Sequence, residues 1–262
     1  MFLNHFHMNE QPFVERIPVH RISQDERIAQ GINRLKYFLS YGSIALLTGE
    51  TGVGKSCLLK LFLSSLVDNR YQPVYIHLTH LKTAGLFKII VSGMGEIPKT
   101  TKGNLFTQIL DKSQRSDITT ILILDEAHLI PSDGLIDLRL LVSSGINENQ
   151  SLKIILAGQE DLRYQLRRSC HQPLAHRISV KYHLTAFSQH QTHAYLDYQM
   201  QSVGSNDKIF EPEVKTLIHE YSNGIPRQIN NIATACLIQA AALNSHKITQ
   251  PIFSQSIREC QI

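Results

Sequence analysis

The chain has 262 residues, 42% of them apolar and 18% charged, with a formal net charge of +4. That length fits one large domain or two unequal ones, and the apolar share supplies a sizeable core and excludes a disordered chain. The mild positive excess permits nucleic-acid binding without requiring it. Cys57, Cys170, Cys236 and Cys260 show no C-x-x-C spacing, which argues against a disulfide framework and for a reducing cytoplasm. No run of about 18 apolar residues occurs, so no membrane span is expected. Met1-Phe2-Leu3-Asn4-His5 lacks the basic start and apolar run of a secretion signal. His77 with His80, or His5 with His7, have no Cys or carboxylate pair at ligand spacing, so no metal cluster of that kind is expected.

Residues 1–22 are mixed, contain Pro12 and Pro18, and are predicted as an irregular lead-in. Ser23 followed by Glu26 has the form of a capping box, opening a helix to about Ser40 with Ile28, Ile32, Leu35 and Leu39 on one stripe. Residues 44–48 are apolar and read as a buried strand. Gly49-Glu50-Thr51-Gly52-Val53-Gly54-Lys55-Ser56 follows, a complete G-x-x-x-x-G-K-S loop, and residues 57–67 have helical spacing of apolar positions. Strand, glycine loop and helix together point to a nucleoside triphosphate with Mg2+. The glycines let backbone N–H groups turn in around phosphates, and the helix N-terminus beginning near Cys57 adds positive potential. Lys55 is expected to reach the β- and γ-phosphates, and the Ser56 hydroxyl to ligate magnesium.

A turn at 68–72 and Pro73 lead into a second strand, 74–78. A loop over 79–83 precedes a helix of about ten residues. Residues 92–102 form a Gly-, Thr- and Lys-containing loop, and 105–114 are again helical. Residues 118–124 make a third strand whose β-branched and apolar character suits burial on both faces of a parallel sheet. A helix over 135–142 and a fourth strand over 152–157 complete an α/β pattern. From about Ala186 the strands stop, and helices are predicted at 188–203, 211–221, 226–243 and 250–260, with Pro212 and Pro226 in first turns. The expected organisation is a lead-in over 1–22, an α/β nucleotide-binding domain with a parallel sheet over 23–185, and a small all-helical lid domain over 186–262.

The third strand ends in Asp125-Glu126. At the end of a parallel strand, Asp125 is suited to hold magnesium through water, and Glu126, on the opposite side of the pleat, to polarise a water for attack on the γ-phosphate. An acidic strand-to-helix turn is the bland alternative. The fourth strand ends in Gly158-Gln159, and Gln159 is placed to hydrogen-bond that water or the γ-phosphate. Arg177, in Leu174-Ala175-His176-Arg177-Ile178 at the edge of the α/β domain, is placed to leave its own subunit and stabilise transition-state charge in a neighbour's site. Arg163, Arg167 and Arg168 are its rivals. Arg227, in Gly224-Ile225-Pro226-Arg227 at a helix start, is placed to fold back on the nucleotide.

This ordered set resembles the AAA+ ATPases: phosphate loop, acidic strand end, polar strand end, Arg at the domain edge and Gly-x-Pro-Arg on a helical lid. The finer resemblance is to the ExeA-like group and the related transposition regulators of the TniB, TnsC and MuB types. It is carried by Gly49 to Ser56, Asp125-Glu126-Ala127-His128, Leu156-Ala157-Gly158-Gln159, His176-Arg177-Ile178, Gly224-Ile225-Pro226-Arg227, and the start Phe2-Leu3-Asn4-His5-Phe6 with Pro12-Phe13. It departs from the group at Glu160, where Pro often follows the Gly-Gln. The resemblance implies an AAA+ P-loop fold, hydrolysis of ATP with Mg2+, and homo-oligomers (ring or helical filament) with ATP at subunit junctions. For the transposition members it implies a filament that coats double-stranded DNA without sequence preference and recruits a transposase, with a target-selection protein as a further partner. The stretches equivalent to their DNA-following loops hold Lys82 and Thr83, and Lys99, Thr101 and Lys102, which suit phosphate contacts. The alternative is an ExeA-type ATPase for assembly of secretion or pilus machinery. Full-length ExeA-type proteins carry a membrane helix and a wall-binding domain after the ATPase, so a chain ending at Ile262 favours the transposition reading and no membrane partner.

Overall fold

A computed structural model describes residues 2–66, 69–115, 118–144, 152–205 and 208–260. In chain order the elements are α1 (Phe2–His5), α2 (Glu26–Tyr41), β1 (Ile44–Thr48), α3 (Lys55–Ser64), β2 (Tyr71–His77), α4 (Thr83–Gly93), α5 (Lys102–Gln114) and β3 (Thr119–Asp125). They continue with α6 (Ser132–Ser143), β4 (Leu152–Gly158), α7 (Glu160–Leu166), α8 (Gln172–Ala175), β5 (Ile178–His183), α9 (Gln189–Ser202), α10 (Pro212–Ser222), α11 (Pro226–Ala242) and α12 (Gln250–Cys260). Two compact units result. A strand unit takes Ile28–Thr51 and Leu58–Leu184, and a helical unit takes Met1–Arg27, Gly52–Cys57 and Thr185–Ile262.

In the strand unit the sheet order is β2-β3-β4-β1-β5, and all neighbours run parallel. The sequence reason is burial on both faces. Leu46, Leu122, Leu124, Ile154 and Leu156 join one apolar cluster with Phe87, Ile90, Leu105, Ile109 and Leu138 of α4, α5 and α6. The alternate strand residues Ala45, Leu47, Ile121, Ile123, Ile155 and Ala157 are equally buried, as are Leu35 and Phe38 of α2 and Leu58, Leu59 and Phe62 of α3. Each such Leu or Ile stabilises the fold by about 1.5–3 kcal/mol, enough to hold charged groups in costly positions. Lys153 of β4 is one: buried, it donates to the Gly42 carbonyl at 2.5 Å and lies 5.6 Å from the Phe38 ring centroid. Burial pulls its ammonium pKa down.

Several elements depart from the sequence expectation: the lead-in opens with the helix α1 instead of being irregular throughout, and α7 and α8 lie in a stretch for which no helix is expected. β5 is absent from the sequence pattern, because Ile178 and Val180 are its only fully buried side chains and an edge strand pairs on one side alone. Its outer edge is blunted where Arg34 of α2 donates to the Lys181 carbonyl at 3.0 Å. The start of α2 is set by Asp25, not by a Ser23–Glu26 box: the Arg27 N–H donates to the Asp25 carboxylate at 2.8 Å. Val67 and Asp68, read as a helix end and a turn, lie outside the described residues.

The helical unit is built on α9–α12 and an apolar cluster that includes Leu196, Val214, Ile218, Ile229, Leu237 and Phe253. Phe6, Met8 and Phe13 of the lead-in pack in that same cluster. The lead-in is therefore part of a core, and Arg21 orders it: buried, it pairs with Glu10 at 2.9 Å and donates to the Gln11 and Pro12 carbonyls. Ser188 and Gln191 cap α9 reciprocally, and Pro212 and Pro226 sit in the first turns of α10 and α11. Between α10 and α11 the chain reverses through Asn223 and Gly224, both left-handed. A Cβ on Gly224 would stand 2.1 Å from the Phe187 carbonyl oxygen, so only glycine fits. Among the described residues, Cys57, Cys170 and Cys236 are not joined in disulfides.

Candidate nucleotide site

The sheet register brings three strand ends to one edge of the strand unit. Thr48, the last residue of β1 before Gly49, lies opposite Gly158, and Leu124 lies opposite Leu156. Asp125, Glu126 and Gln159 therefore leave the sheet on the side where the phosphate loop begins. That edge is where parallel α/β sheets bind ligands.

Asp125 is 2% exposed and its carboxylate is held on both oxygens. Oδ1 accepts the Glu126 N–H at 3.0 Å. Oδ2 accepts the Tyr75 hydroxyl, and His77 Nδ1 lies 3.8 Å from the same oxygen. Glu126 does not continue the pleat as expected. It adopts the left-handed conformation, φ 58° and ψ 37°, outside β3. This conformation is uncommon without a glycine and costs on the order of 1 kcal/mol or more. It turns the carboxylate towards Gln159, whose Nε2 lies 3.5 Å from Glu126 Oε2, and towards His128, whose Nδ1 lies 3.3 Å away outside hydrogen-bonding geometry. Glu126 and Gln159 are thus a pair, a carboxylate beside an amide, which is an arrangement able to orient a water. Glu160 begins α7 and meets Arg163 at 3.0 Å and His183 at 3.1 Å.

In the helical unit the loop residues Gly52, Val53, Gly54, Lys55, Ser56 and Cys57 carry the second set of candidates. Gly52 is left-handed at φ 83°, and a Cβ there would stand 2.8 Å from Cβ of Arg227. The Arg227 N–H donates to the Gly52 carbonyl at 3.3 Å, so the Gly-x-Pro-Arg helix start touches the phosphate loop. Lys55 is buried and Ser56 exposed at the first turn of α3. The donor set suits magnesium: a hydroxyl and a carboxylate are hard oxygen ligands, and no thiol or imidazole cluster competes among the described residues.

Arg177 is exposed just before β5. Its rival Arg163 is engaged with Glu160, and Arg167 lies 5.8 Å from the Tyr164 ring centroid. Of the residues proposed to follow DNA, Lys82 and Lys99 are exposed, and Thr101 caps α5 by accepting the Asn104 N–H. Lys102 pairs with Asp137 at 2.5 Å. Thr83 is buried, and its hydroxyl donates to Asp133 at 2.5 Å, holding that carboxyl below its usual pKa. Thr83 is therefore an internal clasp and not a surface contact.

The sequence assigns no role to Tyr75 or to His128. Tyr75 reaches Asp125 across a strand pair, a relation only the register reveals. His128 stands in the visible Asp-Glu-Ala-His run, but nothing in that run says the ring approaches Glu126.

A family model described as an AAA domain matches residues 39–166. The "General secretion pathway protein A" of Aeromonas hydrophila is 32% identical over 257 residues, covering 95% of this chain. The chain spans 46% of that relative's length. Among solved structures, the Aeropyrum pernix ORC2 protein (ADPNP–ADP complexes) is 17% identical with a TM-score of 0.72, covering 97% of this chain and 72% of that one. The Thermotoga maritima RuvB Holliday junction branch migration motor is 16% identical with a TM-score of 0.63, covering 95% of this chain and 73% of that one.

Proposed function

Starting from an AAA-domain ATPase of the AAA+ class, we propose that this chain is the ATP-driven assembly module of a secretion system, of the general secretion pathway protein A kind. One observation carries this reading: the identity of 32% runs over 257 residues, through both the strand unit and the helical unit. The phosphate-loop amides from Gly49 to Cys57 and the Lys55 ammonium hold the phosphates of ATP, with Glu50, Thr51 and Val53 forming the loop wall. Ser56 and Asp125 would hold Mg2+, which would supply charge neutralisation of the phosphates. Glu126, oriented by Gln159, takes the proton of the attacking water. Arg227 reports the nucleotide to the helical unit, and Arg177 acts on the site of a neighbouring copy. The test has two arms. Purified chain is mixed with a non-hydrolysable ATP analogue and sized, then used to capture secretion components from membrane extracts. A chain that stays monomeric and captures none with nucleotide present loses this reading.

A second reading keeps a specific observation on its side. Lys82 and Lys99 are exposed beside the N-terminal ends of α4 and α5, and Thr101 and Lys102 open α5. Cationic side chains at helix N-termini suit phosphate backbones. On this reading the chain coats duplex DNA with ATP and recruits a transposase. ATP-stimulated, salt-sensitive binding to duplex DNA that falls in a Lys82→Ala/Lys99→Ala variant supports it, and absence of such binding removes it.

A further inference from the structure

We propose that Tyr75 is the positioning residue for the magnesium-holding carboxylate, fixing Asp125 through a hydroxyl donated across the β2–β3 pair. The proposal rests on the reading of Asp125 as the group that holds Mg2+ through water. Its geometry comes from the register. Tyr75 lies opposite Ile123 and His77 opposite Asp125, so Tyr75, His77 and Asp125 share one face and the phenol reaches diagonally to Asp125 Oδ2.

The need for this bond lies on the carboxylate side. Tyr75 is 45% exposed on an edge strand, where water can satisfy its hydroxyl. Asp125 is 2% exposed and depends on protein donors. A carboxylate offers about four lone-pair positions. The Glu126 N–H holds one oxygen and the Tyr75 hydroxyl the other, and a donor on each oxygen fixes the rotamer of the carboxylate. A neutral donor does this without competing for the cation, as a lysine in its place would. The backbone of β2 gains nothing specific from the hydroxyl, since phenylalanine suits a strand equally well.

The test measures affinity for a non-hydrolysable ATP analogue with Mg2+ and with EDTA, in the full chain and in Tyr75→Phe, with manganese binding read separately by electron paramagnetic resonance. Loss of an outer hydrogen bond to a metal-site carboxylate typically weakens metal binding by about 10–100-fold. Because Tyr75 is half exposed, the expected loss is about tenfold, confined to the metal-dependent part of the affinity. Affinity in EDTA stays unchanged, and manganese binding falls in parallel. In an Asp125→Asn background the Tyr75→Phe change adds nothing further. An unchanged or stronger metal effect in Tyr75→Phe overturns the proposal, the latter showing that the phenol competes with the metal. An equal fall with Mg2+ and with EDTA assigns Tyr75 a structural role only and also overturns it. A wild-type chain that binds no nucleotide in either buffer rejects the nucleotide reading, and this proposal with it. A wild-type metal effect that Tyr75→Phe leaves intact rejects Tyr75 alone.

Discussion

Glu126 sits where the chain pays in backbone strain for a side-chain direction, at φ 58° with Gln159 and His128 around its carboxylate. Replacing it by glutamine keeps size and shape but removes the base. Glu126→Gln is expected to retain ATP and to assemble, with phosphate release down by about 10²–10⁴-fold. Equal loss of binding and turnover would falsify the assignment. Lys55→Ala acts earlier, abolishing nucleotide retention itself, as equilibrium dialysis would reveal. Lys55 was legible from the loop motif alone. Glu126 and Gln159 were each legible as polar strand ends facing one water, but their direct approach was not, because about thirty residues separate the two and only the β3–β4 register closes the gap.

Among the elements, the α10–α11 reversal and the anchoring of α6 depend on single side chains. Gly224→Ala places a methyl against the Phe187 carbonyl in a left-handed turn and is expected to cost the helical unit about 3 kcal/mol or more. A melting temperature within a degree of wild type would show that the turn relaxes freely. His171, buried, binds the Ser132 hydroxyl at 2.8 Å where α6 begins. Burial, aided by Arg168, lowers its pKa from 6.5. Folded His171 therefore takes up a proton less readily than the unfolded chain does. Its contribution is fully present above pH 6.5 and is lost as pH falls below it. Thermal melts across this range should show stability declining with acid, and the decline should be shallower in His171→Gln. Parallel curves for both proteins would exclude His171 as the cause.

At the scale of the whole molecule, an exposed arginine at the domain edge makes a claim about assembly. If Arg177 completes a neighbour's site, Arg177→Ala and Glu126→Gln are each inactive alone for different reasons. Mixed in equal amounts, they form junctions in which an intact Glu126 meets an intact Arg177. Partial recovery of ATP turnover on mixing is expected, and none is expected if the arginine serves its own subunit. Among the described residues no helix is long and apolar enough to cross a membrane.

Much of this molecule is written in local chemistry. The phosphate loop, the acidic end of β3, the Gly-x-Pro-Arg helix start and the first four strands follow from residue type and spacing, because glycine conformation, strand burial and first-turn proline act within a few residues. What the tertiary structure decided is non-local. β4 inserts between β1 and β3, β5 pairs on one side with only Ile178 and Val180 fully buried, and the lead-in packs Phe6, Met8 and Phe13 into the helical core. Thr83 turns inward to Asp133, and Tyr75 reaches Asp125. Each depends on which chain segments become neighbours, and that is set by the summed burial of apolar faces far apart in sequence.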